Sequence, residues 1–243
     1  MEAAFEAYKR AAEMPNIEIH AIACHIGSQI TKTSPFTDAL DIVLNMVKRL
    51  ADEGIQIQQL DLGGGLGIDY QGETPPSAQD YVQGMLDGLK KHGVDLPITI
   101  EPGRYIAGNS GVLLTEVEYL KHNETKNFAI VDAGMNDIMR PSLYQAFHEI
   151  VRVNKDSSAD ENVFDIVGPV CESSDVLGYD RRLQVQAGDL LAVLSAGAYG
   201  FVMAGTYNSR PRPPEVMVDG DDVHIIRQRE TFEELTHSET LLP

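Results

Sequence analysis

Apolar positions in the first hundred residues switch between two periods. Residues 1–14 read as a helix, with Ala4, Tyr8, Ala11 and Ala12 roughly on one face and no capping residue ahead of it. In IEIHAIACHIGSQI, Ile17, Ile19, Ala21 and Ala23 alternate with Glu18, His20 and Ile22, which predicts a strand ending near His25. Leu40, Val43, Leu44, Val47 and Leu50 recur at helical spacing, so residues 37–53 form a helix that Gly54 stops. IQQLDLGGGLG then predicts a strand running into a glycine turn, residues 78–92 a helix stopped by Gly93, and PITIEPGRYI a third strand. Strands separated by helices make a βα repeat with parallel strands.

Past about residue 108 the pattern changes. VLLTEVEYLK, NFAIVDAG, FDIVGPVC, DLLAVLSAGAYG and PEVMVDGDDVHIIRQ are short β-rich runs divided by turn residues. They predict a β-sandwich or β-barrel. The expected fold is therefore α/β plus all-β, with one domain over residues 1–108 and a second over 109–243. The change falls between Gly103 and Gly111, and no repeat or low-complexity stretch interrupts it.

Charge narrows the partners. The net charge of −18 repels nucleic-acid backbones and anionic lipid heads, so neither nucleic acid nor a membrane is an expected partner. An anionic small molecule needs a local cluster of donors and arginines to overcome that field. Cys24 and Cys171 are the only cysteines, too few for a disulfide framework and too far apart in sequence for a short metal pair. No metal is expected. No run of 18 apolar residues and no signal-peptide core occur, so a cytoplasmic location is the expectation.

Candidate chemistry gathers just after each strand of the first half, the end at which a β/α barrel carries its active site. Gly63, Gly64 and Gly65 allow backbone N–H groups to approach an anion, phosphate above all; the alternative is a tight turn without a ligand. Glu101 at the third strand end suits a ring nitrogen that must stay protonated, Gly103 a backbone donor and Arg104 a carboxylate. The alternative there is a Glu101–Arg104 surface ion pair. His25 suits stacking on a planar ring and Ser28 donation to a phosphate, or His25 is structural. In CESSD, carboxylates beside Cys171 disfavour a thiolate, so proton donation or contact fits it better than nucleophilic attack; alternatively Asp175 caps a polar turn. Arg140 and Tyr144 suit a carboxylate, and Tyr199 a phosphate or substrate, with Tyr207 to Arg210 in support; each is equally readable as a buried structural polar group.

Taken together, CHIGSQ, DLGGGLGIDY, EPGRYI, VDAGMNDIMRPSLY, GPVCESSD and SAGAYGFVMAGTYNSRPRPPEV, in that order, resemble the diaminopimelate decarboxylases, fold type III pyridoxal phosphate enzymes related to alanine racemase. The resemblance runs from about residue 16 to 235. It implies an eight-stranded β/α barrel of which only the late strands are present here. It implies pyridoxal 5'-phosphate as cofactor, with His25 against the ring, Glu101 on the ring nitrogen, and Ser28, Gly63, Gly64, Gly65, Gly103 and Tyr199 around the phosphate. It implies meso-diaminopimelate as substrate, L-lysine as product, and Arg104, Arg140 and Tyr144 on the distal carboxylate, with Glu172 and Tyr199 also at the substrate. Cys171 and Glu172 would enter the neighbouring subunit's site, making a homodimer with shared active sites.

The family holds its cofactor through a lysine in a motif like YAxKAN. The lysines here, at 9, 32, 48, 90, 91, 121, 126 and 155, lie in no such motif. The chain is therefore expected to be a C-terminal portion that begins inside a barrel helix and is inactive alone. With its parallel strands open at two edges and an apolar face uncovered, it is expected to need a partner. A non-catalytic partner that dimerises with a full-length enzyme is the second reading. A related decarboxylase is a third, which the Arg104/Arg140 pair disfavours because two cations repel a distal amine.

Overall fold

The computed structural model describes residues 1–154 and 159–242; Lys155 lies outside them. The chain divides into two compact units, Met1–Ile106 and Ala107–Pro243.

The first unit runs α1 (Glu2–Ala12), β1 (Ala21–Ala23), α2 (Ser34–Asp52), β2 (Gln59–Asp61), α3 (Ala78–His92), β3 (Ile98–Thr99) and into α4 (Gly103–Ala107). The strands form one parallel sheet in the order β1-β2-β3. Helix α3 starts at Ser77, whose hydroxyl accepts from the Asp80 N–H, and ends at Gly93 in the left-handed region. Leu40, Leu44 and Leu50 of α2 and Tyr81, Met85 and Leu89 of α3 pack with Ile22 and Leu60 into one core. Each such side chain contributes about 1.5–3 kcal/mol on burial. The helices cross so closely that a Cβ on Gly88 would lie 2.5 Å from Leu40 Cδ2.

Four expectations are corrected. The packed face of α1 is Phe5 and Tyr8 rather than Ala4 and Ala12. Phe5 lies under the Arg49 guanidinium at 4.1 Å, and the Tyr8 hydroxyl donates to Ala21 O at 3.0 Å. Rings bury far more apolar area than alanines and set the helix rotation. In β1 the phase is opposite to the expected one. Ile22 is buried among the helices and Ala23 is exposed, because the largest apolar side chain takes the helix layer. The third strand stops at Thr99, and Gly103–Ala107 winds into α4. The sheet face turned from the helices carries Gln59, Asp61 and Thr99, with Gln59 Nε2 donating to Thr99 Oγ1 at 2.5 Å. It is polar, not the uncovered apolar face expected.

The second unit contains β4 (Leu113–His122), β5 (Asn127–Val131), α5 (Arg140–Tyr144), β6 (Ile150–Arg152), β7 (Asn162–Val167), β8 (Val176–Leu183), β9 (Leu190–Val193), β10 (Glu215–Asp219), β11 (Asp222–Arg227) and α6 (Phe232–Thr236). Six strands make one mixed sheet in the order β6-β9-β4-β5-β7-β8, parallel only between β5 and β7. The sheet curls until its edges approach. Arg181 Nη2 of β8 donates to His148 O ahead of β6 at 2.9 Å, and a Cβ on Gly178 would lie 3.0 Å from Ile150 Cδ1. The result is the nearly closed barrel expected as one of two options, filled by Val117, Val131, Phe164, Ile166, Leu177 and Leu191. Strands β10 and β11 form a separate hairpin turning at Gly220. No helix among the described residues is long and apolar enough to cross a membrane.

Candidate functional site

In the first unit the glycine turn lies between the ends of β1 and β3. Three backbone bonds carry the parallel pairing past the strands: Cys24 N–H to Asp61 O at 2.9 Å, Leu62 N–H to Thr99 O at 2.9 Å and Glu101 N–H to Gly63 O at 2.8 Å. Each glycine is required by this crowding. A Cβ on Gly63 would lie 2.2 Å from Cys24 O, on Gly64 2.3 Å from Glu101 O, and on Gly65 2.3 Å from Gly27 O. Gly63 and Gly65 also have φ of 67° and 101°, open to glycine but strained for other residues. The turn thus brings His25, Gly64 and Glu101 together, 76 residues apart in sequence from first to last. The Gly64 N–H donates to His25 Nδ1 at 3.3 Å, and the Gly63 N–H to Asp61 Oδ1 at 2.9 Å. Accepting at Nδ1 puts the proton of a neutral His25 on Nε2.

Arg104 does not pair with Glu101. Its Nη1 donates to the Tyr70 hydroxyl at 2.6 Å and its Nη2 to Ser28 Oγ at 2.8 Å, so it ties all three strand ends together. The Glu101 side chain is exposed and makes no hydrogen bond or ion pair among the described residues. Gly103 opens α4, with nothing within 4 Å of where its Cβ would stand. Gln29 clamps the loop after β1 to the glycine turn, donating to Ile68 O at 2.6 Å and accepting from Ile68 N–H at 3.1 Å. Neither Tyr70 nor Gln29 stood out in sequence, since each acts through a partner 34 or 39 residues away.

The remaining candidates belong to the second unit. Arg140 opens α5 and is buried, 8% exposed, with Nη1 2.6 Å from His148 Nε2. Tyr144 and Tyr199 are exposed. Tyr199 has φ of 59°, a left-handed conformation rare for an aromatic residue. Cys171 and Glu172 stand exposed on the turn after β7, where Glu172 Oε1 accepts from the Ser173 N–H at 2.9 Å. Asp175 holds that turn, as its capping role anticipated. Its Oδ2 accepts from Val170 N–H at 2.7 Å and its Oδ1 from Met135 N–H at 2.6 Å. Burial pushes the Asp175 carboxyl up, against the pull of those two donors. Asp137 is likewise raised by burial, while Gly134 N–H, Arg210 and Asn136 pull it down. Arg210 completes the network, with Nε on Asn136 Oδ1 at 3.0 Å and Nη2 on Asp132 O at 2.6 Å. Among the described residues no three His, Cys, Asp or Glu side chains are grouped to hold a metal ion.

The family model of the pyridoxal-dependent decarboxylase C-terminal sheet domain matches residues 21–197. The diaminopimelate decarboxylase of Vibrio cholerae is 52% identical over 240 residues, covering 99% of this chain and 57% of that protein. The Pseudomonas aeruginosa enzyme of the same name is 54% identical over 236 residues, covering 97% and 56%. The crystal structure of the M. jannaschii diaminopimelate decarboxylase with L-lysine superposes with a TM-score of 0.94 at 39% identity, covering 99% of this chain and 56% of that one. The chain thus spans about half the length of the relatives it matches, at 57% and 56%. The family match over residues 21–197, with relatives more than 50% identical over nearly the whole chain, shows that the chain belongs to the pyridoxal-dependent decarboxylases, in the diaminopimelate decarboxylase family.

Proposed function

We propose that this chain supplies cofactor and substrate contacts in a decarboxylase that converts meso-diaminopimelate to L-lysine with pyridoxal 5'-phosphate. The observation that carries this reading is the meeting of His25, Gly64 and Glu101 at the ends of three parallel strands. The side chains suit the cofactor. An exposed imidazole offers a stacking face. An exposed carboxylate with no partner among the described residues offers an acceptor for a ring N–H. The glycine turn, Ser28 and Gly103 offer the small and polar surroundings a phosphate takes. When bound, pyridoxal phosphate supplies an electron sink for the pair left by departing CO₂. Glu101 deepens that sink by keeping the ring nitrogen protonated.

Arg140 and Tyr144 are assigned to the distal carboxylate of the substrate, together with Arg104, and Glu172 and Tyr199 to further substrate contacts. Cys171 and Glu172, exposed on a turn held by Asp175, are assigned to proton delivery in a neighbouring subunit of a homodimer. In the first unit Lys9, Lys48 and Lys91 engage Glu53, His92 and Asp41 in the helix layer, at 3.5, 3.4 and 2.8 Å. Because no lysine of the sequence lies in a motif like YAxKAN, we assign the covalent lysine to no residue of this chain and expect no turnover from the chain alone. Orientation and exclusion of water, together able to remove about 7–11 kcal/mol of barrier, then come only with the rest of a barrel.

An exchange enzyme tests this. The chain replaces its counterpart in the Vibrio cholerae relative, and meso-diaminopimelate is assayed for CO₂ and L-lysine. Stoichiometric release from the exchange enzyme, with none from the chain and added cofactor, is expected. A folded, cofactor-loaded exchange enzyme that ignores meso-diaminopimelate would overturn the reading. So would turnover by the chain alone at the rate of the exchange enzyme.

A further inference from the structure

His148 is one of the most enclosed polar side chains in the molecule, at 0% exposure, and the sequence motifs do not single it out. Both ring nitrogens are used. Nδ1 lies 2.8 Å from Leu194 O and Nε2 lies 2.6 Å from Arg140 Nη1. A carbonyl accepts only, and a guanidinium donates only. The two contacts are hydrogen bonds together in a single state: a neutral imidazole with its proton on Nδ1. The other tautomer sets two N–H groups against each other at Arg140 and two lone pairs against each other at Leu194.

The backbone holds the ring there. Gln145 closes α5 in the left-handed region, with φ of 53°, and reverses the chain so that His148, just ahead of β6, returns beside Arg140. Arg181 Nη2 donates to His148 O at 2.9 Å, and its guanidinium lies 3.9 Å over the Phe147 ring. Strand β9, paired with β6, delivers the Leu194 carbonyl. The imidazole is thus a fixed rod between a sheet strand and the buried Arg140 guanidinium. An arginine head swings about several side-chain bonds, and one short bond to a rigid acceptor removes much of that freedom.

We propose that His148 is a positioning residue for substrate binding: in its Nδ1-protonated neutral form it fixes the Arg140 guanidinium for the distal carboxylate. This rests on the assignment of Arg140 to that carboxylate, and the test separates the two. His148→Leu removes the acceptor with similar bulk, whereas His148→Gln keeps an amide oxygen near the place of Nε2. In the exchange enzyme, His148→Leu is expected to raise KM for meso-diaminopimelate at least about tenfold, the weight of one hydrogen bond to a charged group. kcat stays near the parent value, and His148→Gln returns KM toward it. Adding His148→Leu to Arg140→Ala is expected to cost nothing further, because the rod then has nothing to hold. Thermal unfolding of each variant identifies any that fail to fold. Independently of activity, ¹⁵N spectra of the whole chain, with His148 assigned from the signal lost in His148→Gln, show a pyrrole-type Nδ1 and a pyridine-type Nε2 at neutral pH.

Arg140→Ala that leaves KM unchanged would remove Arg140 from the substrate and take both proposals with it. Arg140→Ala that raises KM while folded His148→Leu does not would overturn the positioning role alone. A doubly protonated or Nε2-protonated His148 would overturn it as well, whatever the kinetics.

Discussion

Replacing Asp175 tests how the turn bearing Cys171 and Glu172 is held. Asp175 is 4% exposed and accepts two backbone N–H groups, from Val170 at 2.7 Å and Met135 at 2.6 Å. Asp175→Ala leaves both donors without that acceptor. The Val170 bond is buried and the Met135 bond partly so, hence the first carries the larger share. An unsatisfied buried donor costs about 1–3 kcal/mol, and relief from burying a carboxylate offsets part of this, so the net loss is about 2–4 kcal/mol. Asp175→Asn retains one acceptor oxygen but turns an N–H₂ toward the other donor, and costs roughly 1–2 kcal/mol. For a unit of this size a kcal/mol shifts Tm by roughly 3–5 °C. The alanine variant is therefore expected to melt about 6–20 °C below the parent and the asparagine variant to fall between them. Far-ultraviolet circular dichroism of the whole chain, read over its β-rich transition, measures it. An alanine variant melting with the parent, or an asparagine variant as unstable as alanine, would refute the account of two shared donors.

The same carboxyl gives a pH test. Burial raises its folded-state pKa above the ordinary 3.8, so its contribution to stability is full below 3.8 and is lost as pH rises through the raised pKa. The Tm gap between the parent and Asp175→Asn is therefore expected to be widest in acid and to narrow with rising pH; a gap that widens contradicts the linkage. Gly64→Ala, whose Cβ would stand 2.3 Å from Glu101 O, is expected to destabilise by about 1–3 kcal/mol, in urea unfolding. Gly103→Ala, with no atom within 4 Å of its Cβ, is expected to leave the urea midpoint unchanged or raise it slightly. Glu101→Gln in the exchange enzyme is expected to lower kcat at least about a hundredfold, the scale of a lost proton-handling group. Cofactor absorbance stays near parent in that variant, and unchanged turnover at full occupancy would remove Glu101 from the ring nitrogen.

Much of the secondary structure was legible because its signal is local. Helix α3 has its cap at Ser77, its apolar stripe and its stop at Gly93 within one stretch, and its bounds are those the periodicity predicts. Helix α2 begins three residues earlier than predicted, at Ser34, with Pro35 in its first turn. The strand ends were legible too, since His25, Gly63 to Gly65 and Glu101 each follow an apolar run. Strand β8 was missed, because its Gly178, Asp180, Arg181 and Arg182 break the apolar signal that marks a strand. β6 was too short to register, at three residues.

Direction and partnership were decided only in three dimensions. Which way β1 faces depended on where Ile22 finds α2 and α3, and the alternation of small residues around it carries no such information. Glu101 and Arg104 lie three residues apart and suggested an ion pair. The fold instead sends Arg104 to Ser28, 76 residues away, and leaves Glu101 exposed. Arg140 reads in sequence equally as a carboxylate ligand or as a buried structural group. Only the reversal at Gln145 and the pairing of β6 with β9 enclose it with His148 and the Leu194 carbonyl. Apolar periodicity is written residue by residue, whereas a hydrogen bond needs a donor and an acceptor within about 3 Å, and chain folding alone brings distant ones that close.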